Sequence, residues 1–297
     1  MEKEKQAFLY AIITVLLWST VASAFKISLR YLNYLDLLFF ASFVSTLTLF
    51  IICLFQKKIH LLKTFSKNDY LRSLLLGFLS PFLYYCFLFK AYSLLPAQEA
   101  QPLNFIWPIT LLLLSIPLLK QKVNIKNLLA IFISFTGVFI ISTRGDILGF
   151  RLTNPLGVSL AVGSSIIWSL YWIYNVKDAR DETIKLFLNF LFGFILVMVA
   201  KLLFQGIHIP PALGILGGVY VGLFEMGITF LTWLKALQLF KTTAQITNFI
   251  YLVPFFSLLV IHFVVGEKIL PSSVIGLIFI VIGILLQRHY SRSSLSF

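Results

Sequence analysis

The sequence predicts an all-α integral membrane protein with ten transmembrane helices, arranged as two inverted five-helix repeats. Three observations lead there. Charged residues make up 12% of the 297-residue chain and hydrophobic ones 59%, with a mean hydropathy of +0.95. A water-facing surface carries about 25% charge, so the solvent of this chain must itself be largely apolar. Ten apolar runs, most about 18 residues or longer, absorb nearly the whole sequence, and the motifs of the first five recur in the last five.

The runs follow one another at 7–29, 36–55, 71–95, 99–119, 126–143, 155–176, 183–204, 211–239, 243–264 and 271–288. The first continues past any small-residue cleavage site and reads as a retained helix. The connections are short, so no soluble domain is expected. An even number of spans puts both termini on one side, and Lys and Arg decide which. Five cations fall on one side, Arg30, Arg144, Arg151, Lys201 and Lys268. Lys26, Lys90 and Lys235 lie inside segments, and the other sixteen of the 24 fall on the side of the termini. The expectation is a multi-pass inner-membrane protein with cytoplasmic termini. This topology, with attraction to anionic lipid, accounts for the net charge of +13. The cations are spread over several loops, which disfavours nucleic acid as a partner. Cys53 and Cys86 sit in apolar runs and read as small hydrophobes. With no Cys/His cluster of metal-ligand spacing and no Walker loop, neither a metal nor another cofactor is expected.

The repeat shows when the halves are aligned. GFLSPFLYYCFLFKAYSLL (77–95) matches GLFEMGITFLTWLKALQLF (222–240), pairing Gly77 with Gly222 and Lys90-Ala91 with Lys235-Ala236. NFIWP (104–108) faces IYLVP (250–254), QK (121–122) faces EK (267–268), and Gly137 faces Gly283. Trp18-Ser19 of the first segment returns as Trp168-Ser169 of the sixth. Repeat one is placed at 7–143 and repeat two at 155–288. Five spans is an odd number, so the second copy enters the membrane from the opposite side. Inverted repeats of this kind are a transporter architecture.

These residues also resemble a known family. LLWS (16–19), KAYSLLPAQEAQPLNFIWP (90–108), KQK (120–122), FTGVFII (135–141), YLVPFFSLL (251–259) and GEK (266–268) are similar to the EamA-type members of the drug/metabolite transporter superfamily. The PAQEA…LNFIWP form looks most like the branch with aromatic amino-acid exporters. The resemblance implies a facilitative or proton-linked carrier of small metabolites with a central cavity between the halves, working as an exporter. Lys241-Thr242-Thr243 stands where repeat one has Pro96-Ala97-Gln98, a departure from symmetry.

Candidate site residues are the polar and aromatic groups that lipid would reject. On a continuous helix, Gln101, Asn104, Pro108 and Ser115 fall within about 60° of one another, while Glu99 and Trp107 point elsewhere. Pro108 deprives the carbonyl of Asn104 of its helical donor, and Pro254 does the same for Ile250. Both prolines serve equally as kinks for packing or as openings for substrate. Glu225, with Thr229 and Thr232 on its face, is the carboxylate in mid-membrane, where a charge costs about 3 kcal/mol. It either takes up a proton or a substrate cation, or is a protonated structural hydrogen-bonder. Glu99 is a second, weaker polar candidate near the membrane edge.

Trp168 and Tyr171, with Ser164, Trp172 and Asn175, line one face of segment six. Trp18, Trp107, Asn248 and Tyr251 join them if the halves pack as the repeat suggests. Such rings stack on flat solutes or hold cations, or else belong to an interfacial belt. Lys26 faces the same way as Ser19 and Ser23 and can meet a substrate carboxylate or the lipid headgroups. Lys90 and Lys235 read as snorkelling lysines, and Gly214, Gly218 and Gly222 as a helix-packing stripe.

The expected function is secondary transport of a small amphipathic solute, with amino acids leading, by alternating access and with optional proton coupling. The chain is expected to be no enzyme and to act as a monomer or weak homodimer. Import of S-adenosylmethionine or another host metabolite is the alternative within transporters. A lipid-modifying membrane enzyme and a channel are the alternatives outside it. The enzyme lacks the clustered His, Asp and Glu it would need at one interface.

Overall fold

The computed structural model describes residues 2–293 apart from 121–124, 147, 150–151, 207–209, 240–249 and 251. The described residues form helices and connecting turns, without a strand among them. Among the described residues, seven helices are long and apolar enough to cross a membrane, and Leu128–Ser142, Val253–Val265 and Pro271–Gln287 are shorter apolar helices. Large apolar side chains such as Phe132, Leu203, Phe204 and Phe263 stand exposed on the outer surface. In a chain of this composition they face lipid tails, and the protein is a multi-pass membrane protein.

The helices are α1 (Glu2–Ser28), α2 (Tyr34–Phe55), α3 (Lys67–Gly77), α4 (Tyr84–Leu94), α5 (Ala97–Asn104), α6 (Trp107–Leu119), α7 (Ile125–Ser142), α8 (Pro155–Val176), α9 (Glu182–Phe204), α10 (Ala212–Val221), α11 (Ile228–Leu239), α12 (Val253–Val260) and α13 (Pro271–Ser293). Their starts follow local chemistry. Asn33 caps α2 by accepting from the amides of Leu35 and Asp36, and Asp181 caps α9 through Thr183 and Ile184. Ser66 and Asp69 form a reciprocal capping box on α3. Asn154 caps α8, with Pro155 at the first helical position.

Three of the expected continuous segments are interrupted. The stretch 71–95 is α3 and α4 joined by a π-helical turn at Phe78–Leu83, and it begins earlier, at Lys67. The stretch 211–239 is α10 and α11 joined by a second π turn at Gly222–Gly227. These two turns occupy matching places in the repeat. The stretch 99–119 breaks at Phe105–Ile106 into α5 and α6. The ninth segment, expected over 243–264, falls partly outside the described residues, and its described helix is α12 followed by a π turn at Ile261–Val265.

Helix contacts repeat when the first half of the chain is exchanged for the second. α1 packs on α11 as α8 packs on α4, and α1 packs on α12 as α8 packs on α6. α2 lies along α9, and α7 lies along α13. These last two seams join equivalent helices of the two halves. Close approach at the α7–α13 seam depends on glycine. A Cβ on Gly276 would lie 2.7 Å from the Gly137 carbonyl, and one on Gly283 would lie 2.6 Å from that of Ala130. The Gly214–Gly218–Gly222 stripe does the same for α10. Its edge rests on Leu32, Phe40 and the carbonyl of Ala41, as a packing stripe should.

Candidate functional site

The site is built on the two helix breaks. Pro108 and Pro254 each sit in the first turn of a restarting helix, α6 and α12, where a missing N–H costs nothing. The break therefore lies just before each proline. Among the described residues, the carbonyl that draws a side-chain donor is correspondingly not that of Asn104 or Ile250. It is the carbonyl of the residue just before the proline. Trp107 O accepts from the Ser169 hydroxyl at 2.9 Å, and Val253 O from the Ser19 hydroxyl at 3.4 Å. The two Trp-Ser pairs thus have divided roles. Each serine anchors the helix restart of the opposite half, which fixes the position of the tryptophan beside it.

Those tryptophans line a cavity of about 120 Å³. All five tryptophans of the chain, Trp18, Trp107, Trp168, Trp172 and Trp233, face it. So do Phe25, Tyr84, Tyr92, Phe105, Gln101, Asn104 and Glu225. Concentration of every indole at one site, from α1, α6, α8 and α11, is not what an interfacial belt would give. Tyr84 stacks on Trp168 with ring centroids 4.6 Å apart, and Trp18 lies 5.8 Å from Trp233.

Glu225 sits in the π turn between α10 and α11 and is 8% exposed. Its Oε1 accepts from the Tyr85 hydroxyl at 3.1 Å, and its Oε2 is buried without a partner. A π turn adds one residue to the helical ladder and re-aims the side chains it carries. On the facing wall, the Tyr84 hydroxyl donates to Asn104 Oδ1 at 3.3 Å, and the Asn104 amide donates to Ser164 at 2.8 Å. Gln101 Oε1 is also buried without a partner.

Of the sequence candidates, Trp18, Gln101, Asn104, Trp107, Trp168 and Glu225 meet at this cavity. Trp107 does so although a continuous helix would point it away, because the break at Phe105–Ile106 resets the helical phase. Tyr171 is fully buried behind Trp168, 5.8 Å from it ring to ring. Thr229 donates to the Phe224 carbonyl in the π turn that precedes its helix. Asn248 and Tyr251 lie outside the described residues.

Lys26 donates to the carbonyls of Tyr92 and Leu95, at 2.8 and 2.7 Å, and so caps the end of α4. Glu99 pairs with Arg144 at 2.7 Å, away from the cavity. Beside them, Glu267 accepts from the first amides of α5, those of Ala97 and Gln98. The Gln98 side chain donates to Lys268 O and accepts from the amide of Leu270. This network holds one end of the bundle together. Near the other end, Arg180 grips Asp178, Ser73 and the carbonyl of Asp69.

The sequence reading missed Tyr84, Tyr85, Tyr92 and Trp233. The signal was present in Tyr84-Tyr85, which begin three residues after Pro81 of the Ser80-Pro81 interruption of a membrane-spanning run.

Comparison with known proteins fits this geometry. A family model, the EamA-like transporter family, matches residues 5–143 and 155–287. An uncharacterized transporter of Clostridium kluyveri is 26% identical over 60% of this chain and 58% of its own length. The aromatic amino acid exporter YddG of Ancylobacter novellus is 27% identical over 50% of this chain. The chain thus spans 58% and 53% of the lengths of those two relatives. An uncharacterized transporter of Archaeoglobus fulgidus is 25% identical over 92% of this chain and 94% of its own. One solved crystal structure, 22% identical, shares the fold over 97% of this chain and 98% of its own, with a TM-score of 0.67.

Proposed function

The chain belongs to the EamA-like transporter family, a family of transporters and not of enzymes, and from that premise we propose how it works. It is a ten-helix secondary carrier of two inverted five-helix repeats, 7–143 and 155–288. It lies in the inner membrane with both termini cytoplasmic. It moves a small amphipathic organic solute, with amino acids and their relatives the leading class, outward by alternating access. The observation that carries this reading is the cavity between the halves. It collects every tryptophan of the chain and one buried carboxylate, a pocket that is mostly apolar with few convergent polar groups.

The mechanism follows from the seams. α2 with α9 and α7 with α13 join equivalent helices of the two halves, so a small rotation at these seams exchanges which end of the cavity is open. The cross-links near each end are the contacts such a rotation makes and breaks. These are Glu267 with the amides of Ala97 and Gln98 and the Gln98 side chain with Lys268 and Leu270 at one end, and Lys58 with Asp181 and Arg180 with Ser73 at the other. Glu225 supplies the group that changes its charge partner during the cycle, from proton to solute or back.

Counterflow in proteoliposomes with a pooled panel of small solutes tests the reading. The expected result is saturable exchange that is lost on Trp168→Ala and loses its pH dependence on Glu225→Gln. Unsaturable flux would replace the carrier with a pore. Lipid turnover without exchange would replace it with an enzyme.

A further inference from the structure

We infer that the cavity takes an organic cation, a solute whose ammonium or other onium group pairs with Glu225 while its body lies against the indoles. The inference rests on the carrier reading above and narrows it. A buried carboxylate is stable when it is paired and costly when it is not. Glu225 receives one hydroxyl, from Tyr85, and its Oε2 is buried with no partner among the described residues. No Lys, Arg or His lines the cavity among the described residues. Lys26, the cation in the neighbouring helix, spends two donors on the carbonyls of Tyr92 and Leu95.

The walls favour the same sign of charge. Aromatic rings attract a cation over their faces, most when water is excluded, and Trp18, Trp107, Trp172, Trp233 and Tyr92 line the cavity beside the stacked Tyr84–Trp168 pair. Among the described residues a solute carboxylate would find only neutral donors, the indole and amide N–H groups and the tyrosine hydroxyls. It would also sit near Glu225 in a medium that screens like-charge repulsion poorly. The cavity should therefore rank solutes of one shape as cation, then zwitterion, then anion. A protonated Glu225 with a purely structural role would give no such order.

Isothermal titration calorimetry on the purified full-length protein tests this with probes matched in body and different in charge. These are tryptamine, tryptophan and indole-3-propionate, together with phenethylamine against 3-phenylpropionate. The expected result is that each amine binds at least about tenfold tighter than its acid, the scale of one charge-assisted hydrogen bond, with tryptophan between. Glu225→Gln should remove about tenfold of amine affinity and leave acid affinity unchanged or improved. The wild-type order needs no variant to fold. Acids or tryptophan binding as tightly as the amines, or no amine binding at all, overturns the inference. Counterflow of amino acids or acids without any amine would leave a carrier and remove the cation. Counterflow of nothing would remove the carrier itself.

Discussion

Two ion pairs hold the ends of the α2–α9 seam, and the difference in their burial predicts very different contributions to stability. Asp36 and Asp181 stand at equivalent places in the two halves, each beside the start of its helix. Asp36 pairs with Lys201 where the side chains are 1% and 8% exposed. Asp181 pairs with Lys58 at 2.8 Å where they are 29% and 31% exposed. Asp36→Asn keeps the shape but leaves the Lys201 ammonium buried, with the Phe39 ring 5.7 Å away as a weak substitute. Stranding one charge of a buried pair costs about 3–5 kcal/mol. Asp181→Asn keeps the helix cap and loses only a partly exposed pair, at about 0–1 kcal/mol. The expected gap is about 3 kcal/mol, or roughly a hundredfold in the unfolding equilibrium. Unfolding in mixed micelles, followed by tryptophan fluorescence, measures it. In a Lys201→Met background, where the Asp36 carboxylate is itself the stranded charge, Asp36→Asn should recover stability instead of costing it. Equal costs for the two Asn variants, or a larger one at Asp181, would refute the idea that burial sets their worth.

Three further outcomes follow from the packing and the charges. Gly137→Val should destabilise by about 1–3 kcal/mol by overpacking, because its Cβ would meet the Gly276 carbonyl and lie 3.0 Å from the Ile280 amide. An unchanged melting temperature would mean the α7–α13 seam is looser than described. Ser169→Ala should cost about 1 kcal/mol and more than Ser19→Ala, since its bond is 2.9 Å against 3.4 Å and it also meets Thr110 at 2.7 Å. The reverse order in thermal melts would contradict the anchoring roles. Burial opposes ionisation of Asp178 and Asp181, but Arg180 at the first, and Lys58 with the capping amides at the second, outweigh it and hold both carboxyls below the usual range. Their stabilisation is complete above the unfolded value near about pH 4 and is lost as pH falls through the lower folded values. Melting temperature should therefore drop on acidification below about pH 4 and drop less in Asp178→Asn. An identical acid limb in that variant would remove Asp178 from the account.

The fold was legible because membrane spans are written in length and apolarity alone. α2, α7, α8 and α9 lie within two residues of the expected 36–55, 126–143, 155–176 and 183–204. The interruptions were less legible. Phe105 and Ile106 carry no turn chemistry, yet the helix breaks there because Pro108 is better placed at a helix start than inside one. That break reset the wheel on which Trp107 had been turned away from the cavity. The π turn at Gly222–Gly227 left no local signal except its glycines, and it re-aimed Glu225 and Trp233 together. Glu225 was legible as a misfit in lipid. Its hydroxyl donor Tyr85 was not, because nothing in sequence says which residue 140 positions away will face it. The aligned Trp-Ser pairs showed correspondence without role, and the structure divides the role between ring and hydroxyl.

The repeat also shows where symmetry is broken, at the proposed site. At the first π turn the residue equivalent to Glu225 is Ser80, whose hydroxyl is buried without a partner. Pro81 follows it in place of a continuing ladder. Both halves therefore kink at the same level, but only one carries a charge. A second carboxylate at Ser80 would have been another fully buried charge in need of a partner. A single one needs one counter-charge and has one contact across the halves, the Tyr85 hydroxyl. A cation that takes Oε2 leaves that contact in place, whereas one that spans both oxygens displaces it. Occupancy of the cavity and contact between the halves are then linked through the same carboxylate. That linkage is what alternating access requires of a binding site: the bound solute must change how the halves hold each other, since a ligand with equal affinity for both arrangements shifts nothing.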